Sequence, residues 1–339
     1  MPEIDIHPLI AHANLERDVA ESLRANALKP KLLYMTPRQT ELWRQVFLRH
    51  SPIHGNPEFA RIYREAYARV AEERPARKVW LIGLGCGTGL KEAELCSRLK
   101  SEGHEVAFSA IDVSHDLVSE SARRLEGAGA KSGRHLVCDL TEIDFIKEWL
   151  GRIDEASPRI FTFFGLVPNL HPPFVARLVR EILRSGDTLL VNAHLAPVGE
   201  GGDLPAAMRS VLPQYDNPET LAWLTAALEH WGLHDLVEGP RMTIGEREGV
   251  PAFVARASWK SNEPFEKGGH AFAPGMDEPL RVFQSLRYTV PLFEDLLRCA
   301  EFKVELLAET GCREEAIWRV SAARSEIDST LSELVAKRQ

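Results

Sequence analysis

Apolar and polar positions follow two periods through the middle of this chain. Short, nearly continuous apolar runs such as Val79-Trp80-Leu81-Ile82 and Val106-Ala107-Phe108 are followed by stretches with helical spacing. Fully buried strands of a parallel sheet read as unbroken apolar runs, and amphipathic helices repeat near 3.6 residues. The pattern predicts strands at 78–83, 105–111, 134–138, 159–164 and 187–193, with helices at 89–101, 114–126, 144–150 and 173–184. Such alternation builds an α/β fold with a mostly parallel sheet and helices on both faces.

The flanks have a different character. Residues 1–30 are polar with scattered apolar positions, predicting a short helix over about 14–26 and a turn at Pro30. A helix through Leu48, a turn-rich segment at 51–57 and a long amphipathic helix over 58–73 follow. Beyond His194 the pattern predicts a loop at 197–203 and helices at 204–212 and 217–231. An antiparallel hairpin over 240–259 turns at Glu246-Arg247-Glu248-Gly249, and a polar, exposed loop spans 260–279. A strand at 280–288, a helix at 290–300, strands at 302–309 and 315–322 and a polar helix or tail over 325–339 complete the chain. A chain of 339 residues suits two domains. The expected division is a sheet domain of residues 59–195 and 286–324, and a second, α+β, substrate-binding lid of residues 1–58 and 196–285.

The first strand ends in Gly83-Leu84-Gly85-Cys86-Gly87-Thr88-Gly89-Leu90-Lys91. Glycines at such a turn let a ligand approach the backbone closely, as in dinucleotide-binding folds. No lysine-serine or lysine-threonine pair closes the turn, which excludes a P-loop. The second predicted strand ends in Asp112 and the third in Asp139-Leu140. An acid after the second strand is where such folds hold a ribose; the alternative for Asp112 is a helix N-cap, a role Ser114 is also placed to fill.

The glycine turn with Asp112 and Asp139 resembles the class I S-adenosylmethionine-dependent methyltransferases. That resemblance implies a Rossmann-like sheet, S-adenosylmethionine as cofactor, Asp112 on the ribose and Asp139 near the adenine. Phe163-Phe164-Gly165-Leu166-Val167-Pro168-Asn169-Leu170, Pro30-Lys31-Leu32-Leu33-Tyr34 and Gln214-Tyr215-Asp216 are similar to segments of a narrower branch. It is the histidine-specific Nα-methyltransferases of ergothioneine biosynthesis. The branch implies cofactor contacts at Tyr34, Gly83, Gly85, Gly87, Lys91, Asp112, Asp139, Leu140 and Gly165. It implies that Asn169 and Tyr215 hold the amino-acid end of the substrate. His54, Phe283 and Ser285 fall at further substrate positions. Phe283 stands where histidine-selective members carry a glutamate, and His54 where they carry a tyrosine. The expected acceptor is therefore a free amino acid other than histidine, either arginine or an aromatic one. Histidine itself, or an O- or S-methylated metabolite, is the alternative. Glu41, Glu58, Asp203, Asp216, Glu246 and Glu248 are the acids offered for a guanidinium.

Composition narrows the partners. Hydrophobic residues make up 44% of the chain and charged residues 27%, ordinary for a globular protein. A net charge of −8 and a pI near 5.9 argue against nucleic acid, which needs a basic face. Five cysteines without CxxC spacing argue against a zinc site and for reduced thiols in the core. No signal-like or membrane-spanning run is present, so a cytoplasmic protein acting on a small molecule is expected.

Overall fold

A computed structural model describes residues 2–73, 77–153, 157–199, 201–298 and 302–322. Its strands in chain order are β1 (Glu3–Ile6), β2 (Lys78–Leu84), β3 (Glu105–Asp112), β4 (Lys131–Ser132), β5 (Arg134–Val137), β6 (Arg159–Phe163) and β7 (Thr188–His194). They continue with β8 (Arg241–Arg247), β9 (Val250–Ala257), β10 (Phe265–Lys267), β11 (His270–Phe272), β12 (Leu280–Leu286), β13 (Phe302–Glu309) and β14 (Glu315–Ala322). The main sheet runs β1-β5-β3-β2-β6-β7-β14-β13, with β4 paired to β3. Pairings from β1 through β7 are parallel, and β14 joins β7 antiparallel. This is the mostly parallel α/β architecture that the alternation predicts, in the Rossmann-like form that the resemblance implies.

Adjacent residues on the central strands face opposite sides of the sheet. Ile82, Phe161, Val191 and Trp318 enter one apolar cluster, while Leu81, Ile160, Leu190 and Ile317 enter another. Both faces are covered, which is why these strands read as unbroken apolar runs. The chain leaves β2 toward β3 and β5, then crosses back to β6 on the other side of β2. Such a reversal opens a crevice at the carboxyl ends of the strands.

A third apolar cluster joins the N-terminal segments to the chain after His194. It contains Leu15, Leu32, Trp223, Trp231, Phe253 and Phe283. A separate sheet, ordered β12-β9-β8, forms part of this layer. Its hairpin turns with positive φ at Glu248 (56°) and Gly249 (76°), the backbone that a two-residue hairpin loop requires. A helix over Pro37–His50 begins with a capping box between Thr36 and Gln39 and packs on the helix Pro218–His230.

Two expectations need correction. The extreme N-terminus does not stay with the second layer: β1 pairs with β5 and extends the main sheet. Asp5 accepts from Trp149 Nε1 at 2.7 Å and pairs with Arg134 at 2.9 Å. This short polar edge strand is fixed by partners more than a hundred residues away. The stretch 260–279 is not wholly loop, because β10 and β11 form a hairpin with Phe265 stacked on Phe272. The tail predicted over 325–339 lies outside the described residues. Cys86, Cys96 and Cys138 are buried free thiols. Among the described residues no helix is long and apolar enough to cross a membrane.

Candidate active site

At the carboxyl edge of the sheet lies a cleft of about 260 Å³ between the main sheet and the second layer. The turn after β2 forms its floor. Gly85, Gly87 and Gly89 have φ of 60°, 52° and 70°, a region that side chains other than glycine rarely adopt. A Cβ on Gly85 would lie 2.5 Å from Leu166 Cδ2, and one on Gly87 would lie 2.9 Å from Trp43. The turn is thus left-handed and tightly covered, and both properties demand glycine.

Asp112 ends β3 and is 7% exposed. Its Oδ2 accepts from Gly87 N–H and its Oδ1 from Ser114 N–H, each at 3.0 Å. The helix over His115–Gly127 is capped by Ser114 instead, whose side chain accepts from Leu117. Burial raises the Asp112 pKa, while the backbone N–H groups of Ser114 and Gly87 oppose that rise. With about four acceptor sites, the carboxylate keeps capacity for a further donor. Asp139 accepts from Thr141 N–H at 3.0 Å and pairs with buried Lys31 at 3.1 Å. Lys31 pairs in turn with Asp18 at 2.7 Å.

The cleft wall includes Tyr34, Gly85, Gly87, Lys91, Asp112, Asp139, Leu140 and Gly165 of the expected cofactor contacts. Gly83 lies within β2 instead and does not line the cleft; a Cβ there would meet Cys86 Cβ at 2.8 Å. Lys91 donates to Tyr63 at 2.6 Å, and its Nζ lies 4.5 Å from that ring's centroid. The donor set fits S-adenosylmethionine. Asp112 offers acceptors suited to a ribose diol, and Val113, Leu117 and Leu140 offer apolar walls suited to an adenine.

Asn169, Tyr215, Phe283 and Ser285 line the same cleft. Asn169 closes a short turn over Val167–Asn169 after β6, and Tyr215 follows the turn Leu212–Gln214. His54 does not line the cleft; its ring edge packs on Phe47 at 4.7 Å. Phe283 stacks on Tyr215 at 6.4 Å between centroids and meets Trp223 edge-on at 5.7 Å. None of the six acids named for a guanidinium lines the cleft.

Several cleft residues were not among the expected contacts. Arg287 donates to the Tyr215 hydroxyl at 2.9 Å, and Ser285 donates to it at 3.1 Å. His194 Nδ1 lies 3.1 Å from the same oxygen. Burial, then the positive charges of Arg287 and Lys91, hold the His194 pKa well below its ordinary value. Buried Glu92 accepts from the Thr162 hydroxyl at 2.9 Å, and burial pushes its pKa up to about 7. Glu315 accepts from Asn192 at 2.6 Å and from Tyr63. A signal for Arg287 was present: the strand predicted over 280–288 spaces Phe283, Ser285 and Arg287 by two, although β12 itself ends at Leu286.

A family model described as histidine-specific methyltransferase, SAM-dependent, matches residues 15–200. The phosphatidylethanolamine N-methyltransferase of Cereibacter sphaeroides is 26% identical over 190 residues, spanning 56% of this chain and 82% of that protein. Among solved structures, a sugar N-methyltransferase from a Streptoalloteichus species is 14% identical, with 78% of this chain and 87% of that one covered and a TM-score of 0.38. A possible exported protein from Bordetella parapertussis is 14% identical, with 92% and 95% covered and a TM-score of 0.46.

Proposed function

Given that the chain belongs to the SAM-dependent, histidine-specific methyltransferase family, we propose that it N-methylates a free amino acid whose side chain is aromatic, in preference to histidine. The observation that carries this reading is the wall made by Phe283, Trp223 and Tyr215. An imidazole needs a hydrogen-bond partner there, and a phenyl ring offers none. An apolar ring loses nothing at the same place. Arginine, the other acceptor expected from sequence, is disfavoured because the cleft already carries a guanidinium at Arg287.

S-adenosylmethionine supplies an activated sulfonium methyl group. In this reading Asp112 takes the ribose hydroxyls, Asp139 and Leu140 flank the adenine, and the glycine turn admits the cofactor against backbone. Asn169 and Tyr215 hold the amino-acid end of the acceptor and aim its nitrogen. Orientation of this kind lowers the barrier by converting a bimolecular step into an intramolecular one. The aromatic wall excludes water and favours the uncharged amine, the form that carries a lone pair. The test is mass spectrometry of products formed from S-adenosylmethionine and each of the common amino acids. Methylated tryptophan, tyrosine or phenylalanine in excess over methylated histidine supports the reading. Methylated histidine or arginine as the main product overturns it.

A further inference from the structure

Arg287 follows β12 directly and is 2% exposed. Among the described residues, the other buried lysine and arginine have carboxylate partners. Lys31 has Asp18 and Asp139, and Arg159 donates from Nε to Asp187 at 3.0 Å. Among the described residues, no carboxylate lies within 4.0 Å of Arg287. Its Nη2 donates to the Tyr215 oxygen at 2.9 Å and its Nη1 to the Leu195 carbonyl at 3.3 Å, while buried Nε has no partner. The guanidinium carbon lies 5.1 Å from the Tyr215 ring centroid and 5.3 Å from that of Phe253. Neutral oxygens and ring faces solvate this cation, but no anion answers it.

An uncompensated buried charge is costly, and proteins seldom keep one without a use. Glu314 and Glu315, which line the same cleft, are committed elsewhere. Glu314 accepts from Gln214 at 2.7 Å, and Glu315 serves Asn192, Tyr63 and Lys91. Arg287 lines the cleft, and its partners Tyr215 and Ser285 line it too. The positive potential is felt there: it is among the causes that keep His194 neutral.

We propose that Arg287 is the counter-cation for a carboxylate of the acceptor substrate, so that the cleft selects acceptors bearing that anion. The proposal rests on the amino-acid reading above and deepens it. Tyr215, donated to by Arg287 and Ser285, is the hydroxyl through which the cation's field reaches the substrate. Arg287 is thus a specificity-determining residue for the acceptor's anion: it acts with the Tyr215 hydroxyl, while Phe283 and Trp223 face the side chain.

The experiment is calorimetry on the full chain loaded with S-adenosylhomocysteine, titrated with tryptophan, tryptophan amide and tryptamine. The last two lack the carboxylate. The wild type is expected to bind the acid roughly ten- to a hundredfold more tightly than either. Arg287→Met should abolish that preference while leaving S-adenosylhomocysteine affinity unchanged, and Arg287→Lys should restore part of it. The wild-type comparison stands even if a variant fails to fold. Equal binding of acid and amide by the wild type, or an intact preference in Arg287→Met, overturns the proposal. A different amino acid binding with the same acid-over-amide preference supports the anion site and overturns only the aromatic reading. If no carboxylate-bearing amino acid binds at all, both fall.

Discussion

The backbone N–H of Gly87 donates to Asp112 Oδ2 at 3.0 Å, fastening the glycine turn to the end of β3. One carboxylate thereby shapes the turn and offers its remaining lone pairs to a ligand. Asp112→Ala removes both. It should weaken S-adenosylhomocysteine binding at least tenfold by calorimetry, because a hydrogen bond to a charged group contributes about 1.5–3 kcal/mol. Binding as in the wild type would show that Asp112 has no contact with the cofactor.

Asn169 and Tyr215 come from separate turns yet line one cleft. Asn169→Ala and Tyr215→Phe should each raise the KM for the acceptor roughly tenfold or more, leaving cofactor affinity close to the wild type. A fall in cofactor affinity of the same size in both variants would move these residues to the cofactor half of the cleft.

Phe283 pairs with Ala255 just after a register shift in β12, and bulges re-aim side chains. Phe283→Glu places a carboxylate beside Trp223 and Tyr215. The ratio of kcat/KM for histidine over tryptophan should rise by at least tenfold. The reason is that the imidazole gains an acceptor while the indole loses an apolar neighbour. An unchanged ratio would show that the acceptor's side chain lies elsewhere.

His135 is 1% exposed, and its Nδ1 accepts from Ala110 N–H at 3.0 Å. Burial holds its pKa at about 4, below the unfolded value of 6.5. Below pH 6.5 the unfolded chain takes up a proton that the folded chain refuses. Stability from this group is full above 6.5 and falls as the pH drops toward about 4, by up to about 3 kcal/mol. Urea denaturation of the wild type and His135→Asn at pH 7 and pH 4.5 measures it. The variant should lose less stability over this interval than the wild type; an equal loss contradicts the assignment.

The central sheet was legible because β2, β3, β5, β6 and β7 are largely buried and so carry their own apolar signal, whereas the two exposed residues of β4 carry none. Asp112 and the glycine turn were legible because their spacing is local. β1 was not, since Glu3 and Asp5 are polar and their fit depends on Arg134 and Trp149 across the fold. Arg287 was missed for the opposite reason. Its spacing put it on the face of Phe283 and Ser285, but an arginine at the end of a predicted strand reads as solvated, and the surrounding Tyr215, Phe253 and Leu195 make it a buried cation. His54 was read into the substrate site from its place in the chain, yet it packs on Phe47 beside the cleft.

The most direct test of the account is a competition in one vessel. Equimolar histidine, arginine, tryptophan, tyrosine and phenylalanine are given to the enzyme with methyl-deuterated S-adenosylmethionine, and label in each amino acid is measured by mass spectrometry at early time. The account predicts that label enters nitrogen of an aromatic amino acid at least tenfold faster than it enters histidine or arginine. Label entering histidine fastest would contradict it.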